Sequence, residues 1–130
     1  MQSVIEVAVV FDTDGVPIGW HIPPNGSGVY IPDSRSLWDI LWDNRERLGG
    51  VAHTHPFYGR PGPSETDVTT FSAVERGLGK RLLWPIVTFN GVATYQWDEE
   101  IAAYAGIIDN PLGVEHIETL RRLSREVSNG

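Results

Sequence analysis

The segment Leu82 to Trp97 constrains the chain most. Leu82 to Phe89 and Val92 to Trp97 are two runs rich in β-branched and aromatic residues, separated by Asn90-Gly91. Asn-Gly is the dipeptide preferred in the two-residue primed turn of a β-hairpin. A lone hairpin is marginal in water, so further strands must extend it. Val4 to Phe11 and Val51 to His55 have strand composition, and Val29 to Ile31 reads as a short extended piece. Val16 to His21 returns after the turn Asp12-Thr13-Asp14-Gly15, with Pro17 marking an edge or a strand start.

Helices punctuate these strands. Asp33 or Ser34 caps the first, whose apolar positions are Leu37, Ile40, Leu41 and Leu48, flanked by Trp38 and Trp42; Gly49-Gly50 stops it. Ser64 opens the second, where a polar cap is followed three residues on by the acid Asp67. Phe71, Val74 and Leu78 form its apolar face, and Gly77 and Gly79 end it. Val114 to Val127 is a third, amphipathic helix with Ile117, Leu120, Leu123 and Val127 on one stripe, and its place on the domain does not follow from the sequence. Pro23 to Gly28 and Pro56 to Pro63 are loops. The class is α/β: a mixed sheet of about five or six strands flanked by two or three helices. At 130 residues, with no internal repeat, the expectation is a single domain over 1–130.

Composition narrows the chemistry. Seventeen acidic and ten basic residues give a formal charge of −7, which disfavours nucleic acid as a partner. The chain has no cysteine, so a thiolate nucleophile, a disulfide and a Cys-ligated metal are excluded, and any metal site must use His and carboxylates. Val7 to Phe11 is too short to cross a membrane and no basic segment precedes it, so the expectation is a soluble, cytoplasmic chain without a signal peptide or membrane partner.

The informative segment is His53-Thr54-His55-Pro56, then the Pro/Gly loop, then Ser64-Glu65-Thr66-Asp67. Residues two apart on a strand share a face, so His53 and His55 aim both imidazoles at one point. The loop turns the chain back, and Asp67 in the first helical turn brings a carboxylate to that point. Two His and one carboxylate leave a fourth position open, the arrangement of a catalytic zinc that keeps a water there. A hydrolase of this kind also needs a base that is not a ligand. Glu6, a carboxylate amid Val4, Ile5, Val7 and Ala8, is the candidate.

Glu6, His53-Thr54-His55, Ser64 and Asp67 together resemble the signature of the JAMM (JAB/MPN) metalloprotease family: a Glu on an early strand, then His-[Ser/Thr]-His, seven residues, Ser, two residues, Asp. Val51-Ala52 before the pair, Pro56 after it, a helix following Asp67 and a hairpin carrying Trp84-Pro85 agree with it, so the likeness spans Val4 to Trp97. Eight residues separate His55 from Ser64 where the family has seven, and only five residues precede Glu6 where the family has a helix. The resemblance implies a JAB/MPN-like (cytidine-deaminase-like) domain. It implies one Zn²⁺ held by His53, His55 and Asp67, with Glu6 transferring protons and Ser64 stabilising the oxyanion. The implied function is a zinc-dependent peptidase or isopeptidase acting at the C-terminal tail of a ubiquitin-like protein, of prokaryotic or phage type given a chain too short for the insertions of eukaryotic relatives. The alternatives are a non-catalytic protein-binding scaffold and a metal hydrolase of cell-wall peptides or small amides.

Plainer readings stand beside these. Ser64 and Asp67 also make an ordinary helix start, and Glu6 is also readable as a solvent-facing strand residue. Glu46, between Arg45 and Arg47, reads as solvated surface; His21 and His116 read as surface or loop histidines without partners; Trp38 and Trp42 read as core packing rather than a binding platform.

Overall fold

The computed structural model describes residues 4–22 and 35–126. The expected loop Pro23–Gly28, extended piece Val29–Ile31, helix cap at Asp33 or Ser34, and Val127 lie outside the described residues. The elements run β1 (Ala8–Asp12), β2 (Pro17–His21), α1 (Arg35–Asp43), β3 (Leu48–Thr54), α2 (Glu65–Leu78), β4 (Trp84–Thr88), β5 (Gly91–Asp98), β6 (Ala103–Ile107) and α3 (Val114–Glu126).

The strands form one six-stranded mixed sheet in the order β2-β1-β3-β4-β5-β6. Only β3 and β4 pair in parallel, and α2 is the crossover between them; every other neighbour is antiparallel. Strand alternation sorts the apolar residues onto two faces. Ala8, Val10, Val51, Trp84 and Ile86 pack with Leu37 and Leu41 of α1 and Phe71 of α2. Val9, Phe11, Ala52 and Val87 pack on the other side with Ile117 and Leu120 of α3. The central strands β1, β3 and β4 are therefore buried on both faces, and among the described residues α3 is the helix that packs on the side away from α2.

Several boundaries differ from the sequence reading. Paired strand begins at Ala8, so Glu6 lies on the extended run-in to β1 rather than in it. Helix α1 ends at Asp43, and Leu48 and both glycines belong to β3. Gly50 does not stop a helix; it permits close strand approach, since a Cβ there would lie 2.0 Å from the Leu83 carbonyl oxygen. Helix α2 passes through Gly77 and ends where Gly79 adopts a left-handed conformation, φ 72°. The β4–β5 hairpin turns on Phe89-Asn90, because Thr88 pairs with Gly91. Asn90 is not at positive φ. Its side-chain oxygen instead accepts from the Gly59 N–H at 2.9 Å. Relative to an Asn90-Gly91 turn, each β4 residue meets a β5 partner two positions earlier, which preserves every side chain's face. Strand β6 was not expected; with two Ala and a Gly beside Tyr104 and Ile107, its five residues give little strand signal.

Candidate metal centre

The site lies where β3 delivers the chain to α2. His53 is central in the sheet, opposite Ala8 of β1 on one side and Ile86 of β4 on the other. His55 lies one residue beyond β3, and its N–H still donates to the Val87 carbonyl at 2.9 Å. Both imidazoles point to the α2 side, and Thr54 between them points to the α3 side.

The 56–63 loop is tied down along its length. Phe89 N–H donates to the Phe57 carbonyl, the Thr88 hydroxyl to the Gly59 carbonyl and the Tyr95 hydroxyl to the Pro61 carbonyl. The chain then enters α2 through a capping box. Ser64 Oγ accepts from the Asp67 N–H at 3.0 Å, and Asp67 Oδ2 accepts from the Ser64 N–H at 3.0 Å. This reciprocal pair holds the Asp67 carboxylate at the helix N-terminus, where the macrodipole favours a negative charge.

Ligand-type atoms of three residues converge there. His53 Nε2 and His55 Nε2 are 3.1 Å apart. Asp67 Oδ2 is 2.9 Å from His55 Nε2, and Asp67 Oδ1 is 3.3 Å from His53 Nε2. Glu6 joins them: one coordinating atom from each of Glu6, His53, His55 and Asp67 lies within 4.8 Å of all the others. Glu6 projects to the α2 side because it is two residues before Ala8 and shares its face.

Burial and charge set the protonation states. Burial is the chief cause that pushes the Glu6 carboxyl above its ordinary range, partly opposed by the two histidines. Hydrogen bonding to Asp67 raises His55 despite its burial. Burial alone would raise Asp67, but hydrogen bonds from both histidines and from the Ser64 N–H outweigh it and hold the carboxyl far below the usual range.

The geometry fits a tetrahedral divalent ion. Ligands about 2.0–2.1 Å from a tetrahedral centre lie about 3.3 Å from one another, close to the separations found here. Two imidazoles and a carboxylate without thiolate suit zinc among several first-row metals.

The structure thus brings Glu6, His53, His55, Ser64 and Asp67 to one place and leaves the other sequence candidates apart. Glu46 is exposed in the turn after α1. His21 is not a surface residue: it is buried on β2 opposite Ala8, and burial lowers its pKa. His116 is not partnerless either; it lies half-buried on α3, 3.5 Å from Glu115 and tilted against Trp20. Trp38 packs against the core, whereas Trp42 is exposed, stacked on Trp38 and covered by Arg45. Sequence reasoning missed Glu75, a carboxylate buried on α2 that accepts from the Leu82 N–H, Trp84 Nε1, Arg81 and the Tyr104 hydroxyl. The available signal was its place one turn after Phe71, on the helix's apolar stripe.

No family model and no curated protein matches the chain. No helix among the described residues is long and apolar enough to cross a membrane.

Proposed function

We propose that this chain is a zinc-dependent peptidase or isopeptidase of the JAMM type, with a JAB/MPN-like fold. The observation that carries the reading is the convergence of His53 Nε2 and His55 Nε2, 3.1 Å apart, on the two oxygens of the Asp67 carboxylate at 3.3 and 2.9 Å, with the Glu6 carboxylate beside them. An isolated ion pair needs no second imidazole on the same carboxylate, whereas three inward-facing donors and a fourth, non-ligating acid are what a hydrolytic metal centre requires.

His53, His55 and Asp67 would hold the zinc ion, which when bound would supply Lewis-acid polarisation and acidify a water. The chain's own groups do the rest. Glu6, half-buried and with a raised pKa, accepts a proton from the attacking water at its carboxylate and returns it to the leaving amine. Ser64 sits at the positive end of α2. Its oxygen accepts at the cap, which leaves the hydroxyl proton to donate to the substrate carbonyl oxygen as negative charge develops. The anchored 56–63 loop holds this geometry without needing substrate to order it. The substrate in this reading is an extended C-terminal tail of a ubiquitin-like protein, with Gly at the cleaved carbonyl because a small residue approaches the metal most closely.

A panel of ubiquitin-like proteins fused through Gly-ending tails to an amine-bearing partner tests the reading, with and without chelator. Zinc-dependent cleavage at the tail supports it. Cleavage of cell-wall peptides alone replaces the substrate while keeping the hydrolase, and a zinc-loaded chain that cuts neither points to the scaffold reading.

A further inference from the structure

Glu6, like His55 and Ser64, lies just outside a regular element. It lies ahead of β1, on an extended segment, yet its function would require its carboxylate to be held within a fraction of an ångström. Both of its neighbours are fixed from the far side of the sheet. Thr54 and Val7 bond reciprocally: the Thr54 N–H donates to the Val7 carbonyl at 3.0 Å, and the Val7 N–H donates to Thr54 Oγ1 at 2.9 Å. Ser124 of α3 donates its hydroxyl to the same Thr54 Oγ1 at 2.6 Å, and its carbonyl accepts the Ile5 N–H at 3.1 Å. The Thr54 hydroxyl proton faces the Ile5 carbonyl at 3.5 Å. Two bonds accepted and one proton aimed at a carbonyl use the whole capacity of a hydroxyl. Ile5, Val7, Thr54 and Ser124 are all buried, with no solvent to substitute for a lost partner.

We infer that Thr54 and Ser124 are positioning residues for Glu6, and that α3 is thereby part of the catalytic apparatus rather than only a cover for the sheet. This rests on the metallohydrolase reading above for its functional consequence, but not for its geometry. Alternation along β3 gives one tripeptide two tasks: His53 and His55 face the metal side, while Thr54 reaches through to the opposite face and sets the backbone on either side of the base. The ligands themselves are carried by β3, its exit and α2, which are also held by pairing with β1 and β4, by the His55 N–H bond to Val87 and by the capping box. Loss of the Thr54 hydroxyl should therefore displace Glu6 and spare the metal.

The test uses the full zinc-loaded chain and the variants Thr54→Val, Thr54→Ser and Ser124→Ala. Thr54→Val keeps the β-branched shape and removes the hydroxyl. Zinc affinity, measured by competition with a chromogenic chelator, should stay within about threefold of wild type, because no ligand is altered. Amide hydrogen exchange at Val7 should speed by about tenfold or more in Thr54→Val, and less in Ser124→Ala, while the Val10 amide within β1 stays protected. With a panel substrate that the wild type cuts, kcat should fall by about tenfold to a hundredfold at nearly constant KM, and Thr54→Ser should restore it to within about threefold. Unchanged exchange at Val7, or zinc loss as large as that in His53→Ala, overturns the proposal. So does a wild-type kcat in Thr54→Val. Failure of the wild type to cut any panel member would instead reject the functional reading, and the exchange and zinc measurements would still decide the positioning. Ser124→Ala, a milder change, carries the same comparisons if Thr54→Val does not fold.

Discussion

Replacing Glu75 by Met should destabilise the protein far more than replacing it by Gln. The carboxylate is 2% exposed. One oxygen accepts from the Leu82 N–H at 2.9 Å and from Trp84 Nε1 at 3.0 Å, and the other from Arg81 and Tyr104. Leu82 and Trp84 are themselves buried. In Glu75→Met both of their N–H groups lose their partner away from water, at about 1–3 kcal/mol each, so the expected loss is roughly 3–5 kcal/mol. Arg81, by contrast, is more than half exposed and turns to water. In Glu75→Gln the amide oxygen keeps the Leu82 and Trp84 bonds and the amide nitrogen faces the Tyr104 hydroxyl, which can rotate to accept. Its loss should be less than half that of Glu75→Met. Urea unfolding followed by tryptophan fluorescence gives both values, provided the slope is unchanged between variants. Equal losses for the two substitutions, or a loss below about 1 kcal/mol for Glu75→Met, would refute the assignment of the energy to the two buried N–H groups. The effect bears on function because Glu75 fixes the end of α2 opposite Asp67.

Three further outcomes follow from the site. Glu6→Gln should retain zinc and the fold while hydrolysis falls about 10²–10⁴-fold, read from initial rates on a substrate the wild type cuts; a wild-type rate removes Glu6 as the base. Asp67→Ala should weaken both the metal site and α2, because the carboxylate serves the histidines and the capping box together; the lost bond from the Ser64 N–H accounts for about 0.5–1.5 kcal/mol in denaturant unfolding. In metal-free protein Asp67 should limit stability below about pH 4 and His55 above about pH 6.5, while Glu6, raised by burial, adds a loss as pH rises above its unfolded value. Asp67, depressed in the folded state, stabilises above its unfolded pKa and loses that contribution as pH falls toward its folded value. His55, raised in the folded state, stabilises below its unfolded pKa and loses that contribution as pH rises through its folded value. Zinc should reverse the upper limb, since it binds neutral imidazole; melting curves against pH, with and without zinc, that show no such reversal would contradict the ligand set.

The sequence showed most where local chemistry dictates geometry. His53-Thr54-His55 on a strand and Ser64 to Asp67 at a helix start each carry their own period or cap, and the structure places both as that chemistry requires. Glu6 was found by its anomaly, a carboxylate among apolar residues, but its run-in position depends on Thr54 and Ser124, 48 and more residues away, which no local pattern records. Gly49 and Gly50 were misassigned because a glycine pair ends helices and admits close strands equally well. Asn90 was read through the turn preference of Asn-Gly, while its side chain is engaged by Gly59, and that long-range bond accompanies a different turn. Glu75 was not singled out from the sequence, because its donors come from Arg81, Leu82, Trp84 and Tyr104, beyond the helix that bears it.

The most direct measurement is zinc content together with X-ray absorption at the zinc edge, on wild type and on His53→Ala and His55→Ala. The account predicts one zinc per chain, with two imidazole nitrogens and a carboxylate oxygen at about 2.0–2.2 Å and no sulfur, and loss of stoichiometric zinc in either variant. A wild-type chain that takes up no zinc, or full zinc retention in both variants, would contradict it.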